Sequence, residues 1–267
     1  MYRVLTAVPL VLIVVFVLGA SSRASGLEGS KFREAVRSDG GVVASESPDA
    51  SRIGLEVLDG GGNAVDAAVA ATFALGVARP QSCGIGGGGF MVYRGADGEA
   101  AALDFREAAP EAIEPDAFAG SGIYTAFTGH KTVGVPGTLA GMQEALDAYG
   151  SLTLAEAIAP AERLARDGFE VSEPLSKEMG NNAERLKLFP EAAQQFLVGG
   201  EEPYEPGSTL TQPQLADTLA LISREGPNAF YEGAIADRIV ADMQDAGDYP
   251  GDEGLVKEED LASYRAV

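Results

Sequence analysis

The chain has 267 residues, 46% of them hydrophobic, and carries 40 acidic against 19 basic residues, for a formal net charge of −21. That length and apolar content suffice for one sizeable core or two small ones, so the sequence is globular rather than disordered. Acidic residues spread along the whole chain argue against nucleic acid as a partner, and the single cysteine, Cys83, excludes an intrachain disulfide.

Arg3 precedes the apolar run Val4 to Ala20, and Ser22-Arg23-Ala24 then has the A-x-A-like form of a cleavage site. This predicts an export signal over residues 1–24, a mature polypeptide over 25–267 and a periplasmic or extracellular location. The run is slightly longer than a usual signal core, so an uncleaved membrane anchor stands as the alternative. Further on, Asn63 is a good helix N-cap and Asp66 favours the exposed amides of the first turn; Ala64 to Ala78 is then apolar on nearly every face and should be a buried helix ended by Pro80. The segment Gly84-Ile85-Gly86-Gly87-Gly88-Gly89 contains G-x-G-x-x-G. A phosphate cradle needs a strand before the glycines and a helix after them. Here a helix precedes and the β-prone run Phe90 to Arg94 follows, so the glycines are read as a close backbone passage and no nucleotide or other cofactor is expected.

Gly95-Ala96-Asp97-Gly98 is a turn cluster, and Ala101 to Phe105 is a second short apolar run, which together predict a β-hairpin. Arg106 and Glu107 emerge at its end, and Pro110 forbids much further pairing. A guanidinium held on a rigid strand end suits two-pronged capture of a carboxylate. A surface ion pair of Arg106 with Glu107 or Asp104 is the alternative, and spacing alone favours that pair. The remainder is mostly helical: Thr138 to Tyr149 closed by Gly150, a capping box at Thr153 and Glu156 opening a helix to Asp167, and helices over about Pro213–Arg224 and Gly233–Asp245 around the turn Gly226-Pro227-Asn228. Leu164, Leu215, Leu219, Ile222, Ile235 and Ile239 are expected in the core, and the polar stretch from Gly180 to Ser208 as a looser surface segment. Cys83 with His130 as a nucleophile and base is rejected in favour of a buried thiol and a surface ring, and no metal-ligand spacing occurs.

The segments GGNAVDAA (Gly61–Ala68), GIGGGGFMV (Gly84–Val92), DFREAAP (Asp104–Pro110), VGVPGTLAG (Val133–Gly141) and DLASYRAV (Asp260–Val267) closely resemble, in family order, the γ-glutamyltransferase family, also called γ-glutamyltranspeptidase or glutathione hydrolase. The resemblance covers about Gly40 to Val267. It implies an N-terminal-nucleophile hydrolase, made as a precursor that cuts itself into a large and a small subunit, with an αββα sandwich built from both. In the family the DFRE arginine binds the α-carboxylate of the γ-glutamyl group, which falls on Arg106 and makes the carboxylate clamp the favoured reading. The nucleophile is a threonine that opens the small subunit and uses its own α-amine as base, so the scarcity of histidine is no obstacle.

DLASYRAV resembles a motif inside the large subunit, so the chain is expected to stop before that threonine, and no catalytic nucleophile is assigned to it. The fold expected is α+β: two short strands join a central sheet under a large helical lobe. Two functions stay open. One is an enzyme that, at full length, hydrolyses or transfers the γ-glutamyl group of glutathione and related compounds, with the small subunit of the same precursor as partner. The other is a non-catalytic large-subunit fragment. Within the enzyme class, related acylases and poly-γ-glutamate depolymerases share the scaffold.

Overall fold

The computed structural model describes residues 36–120, 127–245 and 253–267. The proposed signal, with Val4–Ala20 and Ser22-Arg23-Ala24, lies outside the described residues, and among those described no helix is long and apolar enough to cross a membrane. The chain divides into an N-terminal unit, Met1–Arg37, and a second unit, Ser38–Val267, which holds every helix and strand of the described residues.

Helix α1 (Pro48–Asp59) opens at Ser47, whose hydroxyl accepts from the Ala50 N–H, with Pro48 in the first turn where its missing donor costs nothing. Helix α2 (Ala64–Ala78) has the expected bounds and cap: Asn63 Oδ1 accepts from Val65 N at 2.8 Å and Asp66 N at 3.1 Å, while Asp66 Oδ2 accepts from Asn63 N at 2.8 Å. Its all-round apolar character has a tertiary cause. It packs against α1 and against two later helices, α3 (Thr138–Tyr149) and α4 (Leu154–Asp167), so few of its faces meet water.

Between α2 and α3 lies the hairpin. Strand β1 (Phe90–Arg94) pairs antiparallel with β2 (Ala100–Asp104), Phe90 opposite Asp104 and Arg94 opposite Ala100. One hairpin face buries Leu103 and half-buries Met91 and Tyr93, and the opposite face leaves Phe90 and Val92 exposed. Where a central sheet is expected, the described residues form three separate two-stranded sheets. The far edge of β2 is nevertheless engaged, because Asp104 exchanges backbone hydrogen bonds with Val267 at 2.6 and 2.9 Å.

The stretch from Gly180 to Ser208, expected as loose surface, is largely ordered. Two short strands frame the region, β3 (Phe169–Glu170) pairing with β6 (Thr209–Leu210); between them lie α5 (Glu173–Leu186), α6 (Pro190–Phe196) and the pair β4 (Leu197–Val198) with β5 (Glu202–Pro203). The apolar stripe of α5 is only Leu175 and Met179, one turn apart, and α6 adds Ala193 before Leu197 is buried. Four buried residues scattered through polar sequence anchor these elements without producing a legible period. The helices α7 (Pro213–Glu225), α8 (Asn228–Tyr231), α9 (Ala234–Gln244) and α10 (Glu258–Ser263) complete the lobe. Leu164, Leu219, Ile222 and Ile235 are buried as expected, and Leu215 and Ile239 pack half-buried against the same core. The molecule is a helix-rich α+β fold.

Candidate active site

The glycine run is where the hairpin meets the helical lobe. Gly89 and Phe105 exchange both backbone hydrogen bonds, at 3.2 and 2.9 Å. The carbonyl of Gly87 accepts from the N–H groups of Gly137 and Thr138, at 2.8 and 2.9 Å, and so occupies the amino end of α3. Two amides at the start of α3 are therefore taken by the backbone of the glycine run. A Cβ on Gly88 would lie 2.5 Å from the Phe105 carbonyl oxygen and 2.6 Å from the Glu107 nitrogen. Only glycine lets these chains approach so closely.

Arg106 stands one residue beyond this contact. Its N–H donates to Asp104 Oδ1 at 2.9 Å, and its carbonyl accepts from the Tyr264 hydroxyl at 2.8 Å. Two residues on, Ala108 and Val135 exchange backbone hydrogen bonds at 3.1 and 2.8 Å. The backbone is thus held on several sides while the side chain extends outward: it is 61% exposed, its Nε lies 3.4 Å from Glu107 Oε2 and its Cζ 6.0 Å from the centre of the Phe90 ring. The alternative pair with Glu107 is present, with Nε its nearest nitrogen. Among the described residues no guanidinium–Asp104 pair is formed; Asp104 Oδ1 accepts the Arg106 backbone N–H. Both Nη nitrogens have no hydrogen-bond partner among the described residues, which leaves the planar two-donor fork available to an incoming carboxylate.

Two cavities flank Glu107. One, about 400 Å³, is lined on the glycine side by Cys83, Gly86, Gly88 and Thr138. The other, about 410 Å³, is lined by Arg106, Asp260, Tyr264 and Arg265. Cys83 is half-buried, with Ser82 Oγ 3.8 Å from its sulfur, and His130 lies 3.1 Å from Asp242 with its ring edge-on to Phe189. No contact joins Cys83 to His130 among the described residues. The buried thiol expected of Cys83 and the surface ring expected of His130 are both corrected to half-buried positions, the His130 ring lying beside Asp242 of α9 and Phe189. No group of three or more His, Cys, Asp or Glu side chains is placed to hold a metal among the described residues.

Tyr264 is the site neighbour that a residue-by-residue reading misses. It belongs to DLASYRAV, yet nothing in local spacing ties it to a residue 158 positions earlier.

The model of the gamma-glutamyltranspeptidase family matches residues 50–267. The chain belongs to this family. The glutathione hydrolase proenzyme of Escherichia coli (strain K12) is 40% identical over 246 residues, covering 91% of this chain and 41% of the relative. The corresponding proenzyme of Bacillus subtilis (strain 168) is 41% identical over 230 residues, covering 84% of this chain and 38% of its own length. Among solved structures, the gamma-glutamyltranspeptidase of Helicobacter pylori superposes with a TM-score of 0.82 at 37% identity, over 88% of this chain and 66% of that one. The chain thus spans about two fifths of the length of the curated relatives. The helical lobe and glycine-lined hairpin are the gamma-glutamyltranspeptidase portion of an N-terminal-nucleophile hydrolase fold.

Proposed function

We propose that Arg106 binds the α-carboxylate of a γ-glutamyl group, in a full-length protein that hydrolyses or transfers the γ-glutamyl group of glutathione and related compounds. The observation that carries this reading is the contrast between a tethered backbone and an open fork at Arg106: an arginine kept for a surface pair needs neither. The reaction requires a nucleophile and oxyanion donors. On this reading both come from the small subunit of the same precursor, where a threonine attacks the γ-carbonyl while Arg106 holds the α-carboxylate and so fixes the distance from anchor to reacting carbon.

Replacing Arg106 by alanine in the full-length protein leaves the substrate carboxylate unpaired, a loss of roughly 2–5 kcal/mol. At about 1.4 kcal/mol per decade, kcat/KM for a γ-glutamyl donor falls about thirtyfold or more. Arg106→Lys recovers part of this, since an ammonium lacks the fork. Self-cleavage is largely spared because it involves no free substrate. Near-normal kcat/KM in a folded, processed Arg106→Ala protein removes Arg106 from the site.

The protein is also proposed to be exported, on the strength of Arg3, the Val4–Ala20 run and Ser22-Arg23-Ala24. Mass spectrometry of protein recovered outside the cytoplasm is expected to find a new N-terminus near Ser25. Intact Met1 in the membrane fraction identifies an anchor instead.

A further inference from the structure

Tyr264 links the backbone of Arg106 to segments far away in the chain. Its hydroxyl donates to the Arg106 carbonyl at 2.8 Å. Its ring lies parallel to that of Tyr231, with centroids 6.0 Å apart and planes 6° from parallel. Tyr231 is fixed in turn: its hydroxyl donates to the Pro136 carbonyl at 3.0 Å and accepts from the Ala140 N–H at 3.2 Å. Both rings are buried. Gly137 closes the arrangement, because a Cβ there would strike both the Phe105 carbonyl oxygen and the Tyr264 hydroxyl. A tyrosine has only two side-chain torsions, so a stacked ring places its hydroxyl with little slack.

We infer that Tyr264 is the positioning residue of the Arg106 site. By holding the arginine carbonyl it sets the direction in which the side chain leaves the strand end, and therefore where the guanidinium fork meets a substrate carboxylate. Burial, then the negative charges of Asp104 and Glu107, raise the pKa of the Tyr264 phenol. The hydroxyl therefore remains a proton donor throughout the neutral range. The role is distinct from that of Glu107, which touches the guanidinium itself. It rests on the reading of Arg106 as the carboxylate clamp.

The test is a double-mutant cycle in the full-length protein with a γ-glutamyl anilide as donor. Tyr264→Phe keeps the stacked ring and removes only the hydroxyl. It is expected to raise KM about fivefold, equivalent to about 1 kcal/mol, with kcat changed less than twofold and self-cleavage intact. In an Arg106→Ala background the same substitution should change KM by less than about 1.5-fold, because no guanidinium remains to be aimed. A merely structural hydroxyl would give the same defect in both backgrounds. An unchanged KM in Tyr264→Phe, an equal effect with and without Arg106, or a Tyr264→Phe protein that fails to fold or self-cleave each overturns the inference. The Arg106→Ala single variant separates the two readings: if it is impaired while Tyr264→Phe is not, the clamp stands and the positioning role falls.

Discussion

Within the glycine run, neighbouring residues of one type have opposite duties. An added Cβ at Gly88 would meet two backbone atoms, the Phe105 oxygen at 2.5 Å and the Glu107 nitrogen at 2.6 Å, neither of which can swing aside as a side-chain end could. At Gly86 it would meet nothing within 4 Å. Gly88→Ala is therefore expected to cost about 2 kcal/mol through overpacking, and to displace the strand end that carries Arg106, so that kcat/KM of the full-length protein falls as well. Gly86→Ala should stay within about 0.5 kcal/mol of the parent. Urea midpoints of the two variants check this, and equal effects would refute the close-passage account. The motif is read correctly as a place where chains pass closely, but which glycine makes the contact is decided by Phe105 and Glu107, just beyond the end of β2.

At the scale of the element, α2 shows how one helix start is used twice. Asp66 completes the capping box with Asn63, a local relation within four residues, and its carboxylate also accepts from Ser151 N at 2.8 Å, Ser151 Oγ at 2.6 Å and Leu152 N at 3.0 Å. It thereby locks the start of α2 to the connection between α3 and α4. Burial pushes the Asp66 pKa up, but the Ser151 hydroxyl and the backbone N–H groups of Asn63, Leu152 and Ser151 outweigh it and hold the carboxyl below the ordinary carboxylate range. The unfolded chain therefore takes up this proton at a higher pH than the folded one. The stabilisation is fully present above about pH 4 and is lost as pH falls through the lower folded value. Asp66→Ala is expected to destabilise by about 3 kcal/mol at neutral pH, since several buried donors lose their acceptor, and to flatten stability against pH below about 4. Unfolding midpoints measured between neutral pH and pH 3 decide it: a variant as acid-sensitive as the parent would show that other carboxylates govern that range.

For the whole molecule the dominant fact is charge. With 40 acids to 19 bases, cations are shared: Arg52 reaches Asp49 and Glu56, Arg166 reaches Glu162 and Asp217, and Lys187 reaches Glu184 and Glu201. These pairs are on or near the surface and contribute little each, and a net charge of −21 adds self-repulsion among the acidic groups. Thermal stability of the full-length protein is expected to rise with potassium chloride up to about 1 M, where the Debye length is about 3 Å. With only five lysines among the basic residues, two origins of this surface predict different behaviour above that concentration. Adaptation to brine predicts a melting temperature that keeps rising; arginine preference in a GC-rich genome predicts one that levels off or falls.

Caps, turns and helical periods were legible in the sequence because each depends on residues within about four positions. Asn63 with Asp66, Thr153 with Glu156 and the turn Gly95 to Gly98 all lie where spacing places them. The family could be recognised from motifs alone, and with it the candidate arginine. Only the tertiary structure decided why those motifs belong together: Gly87 sits on the start of α3, Gly137 lets that start press against Phe105, and Tyr264 reaches the Arg106 carbonyl across 158 residues. Such contacts leave no periodic trace, since each is a single atom pair set by chain path. The order found between Gly180 and Ser208 escaped for a related reason: a few buried side chains hold it, too sparse to mark the sequence but sufficient once the lobe supplies the surface they pack against.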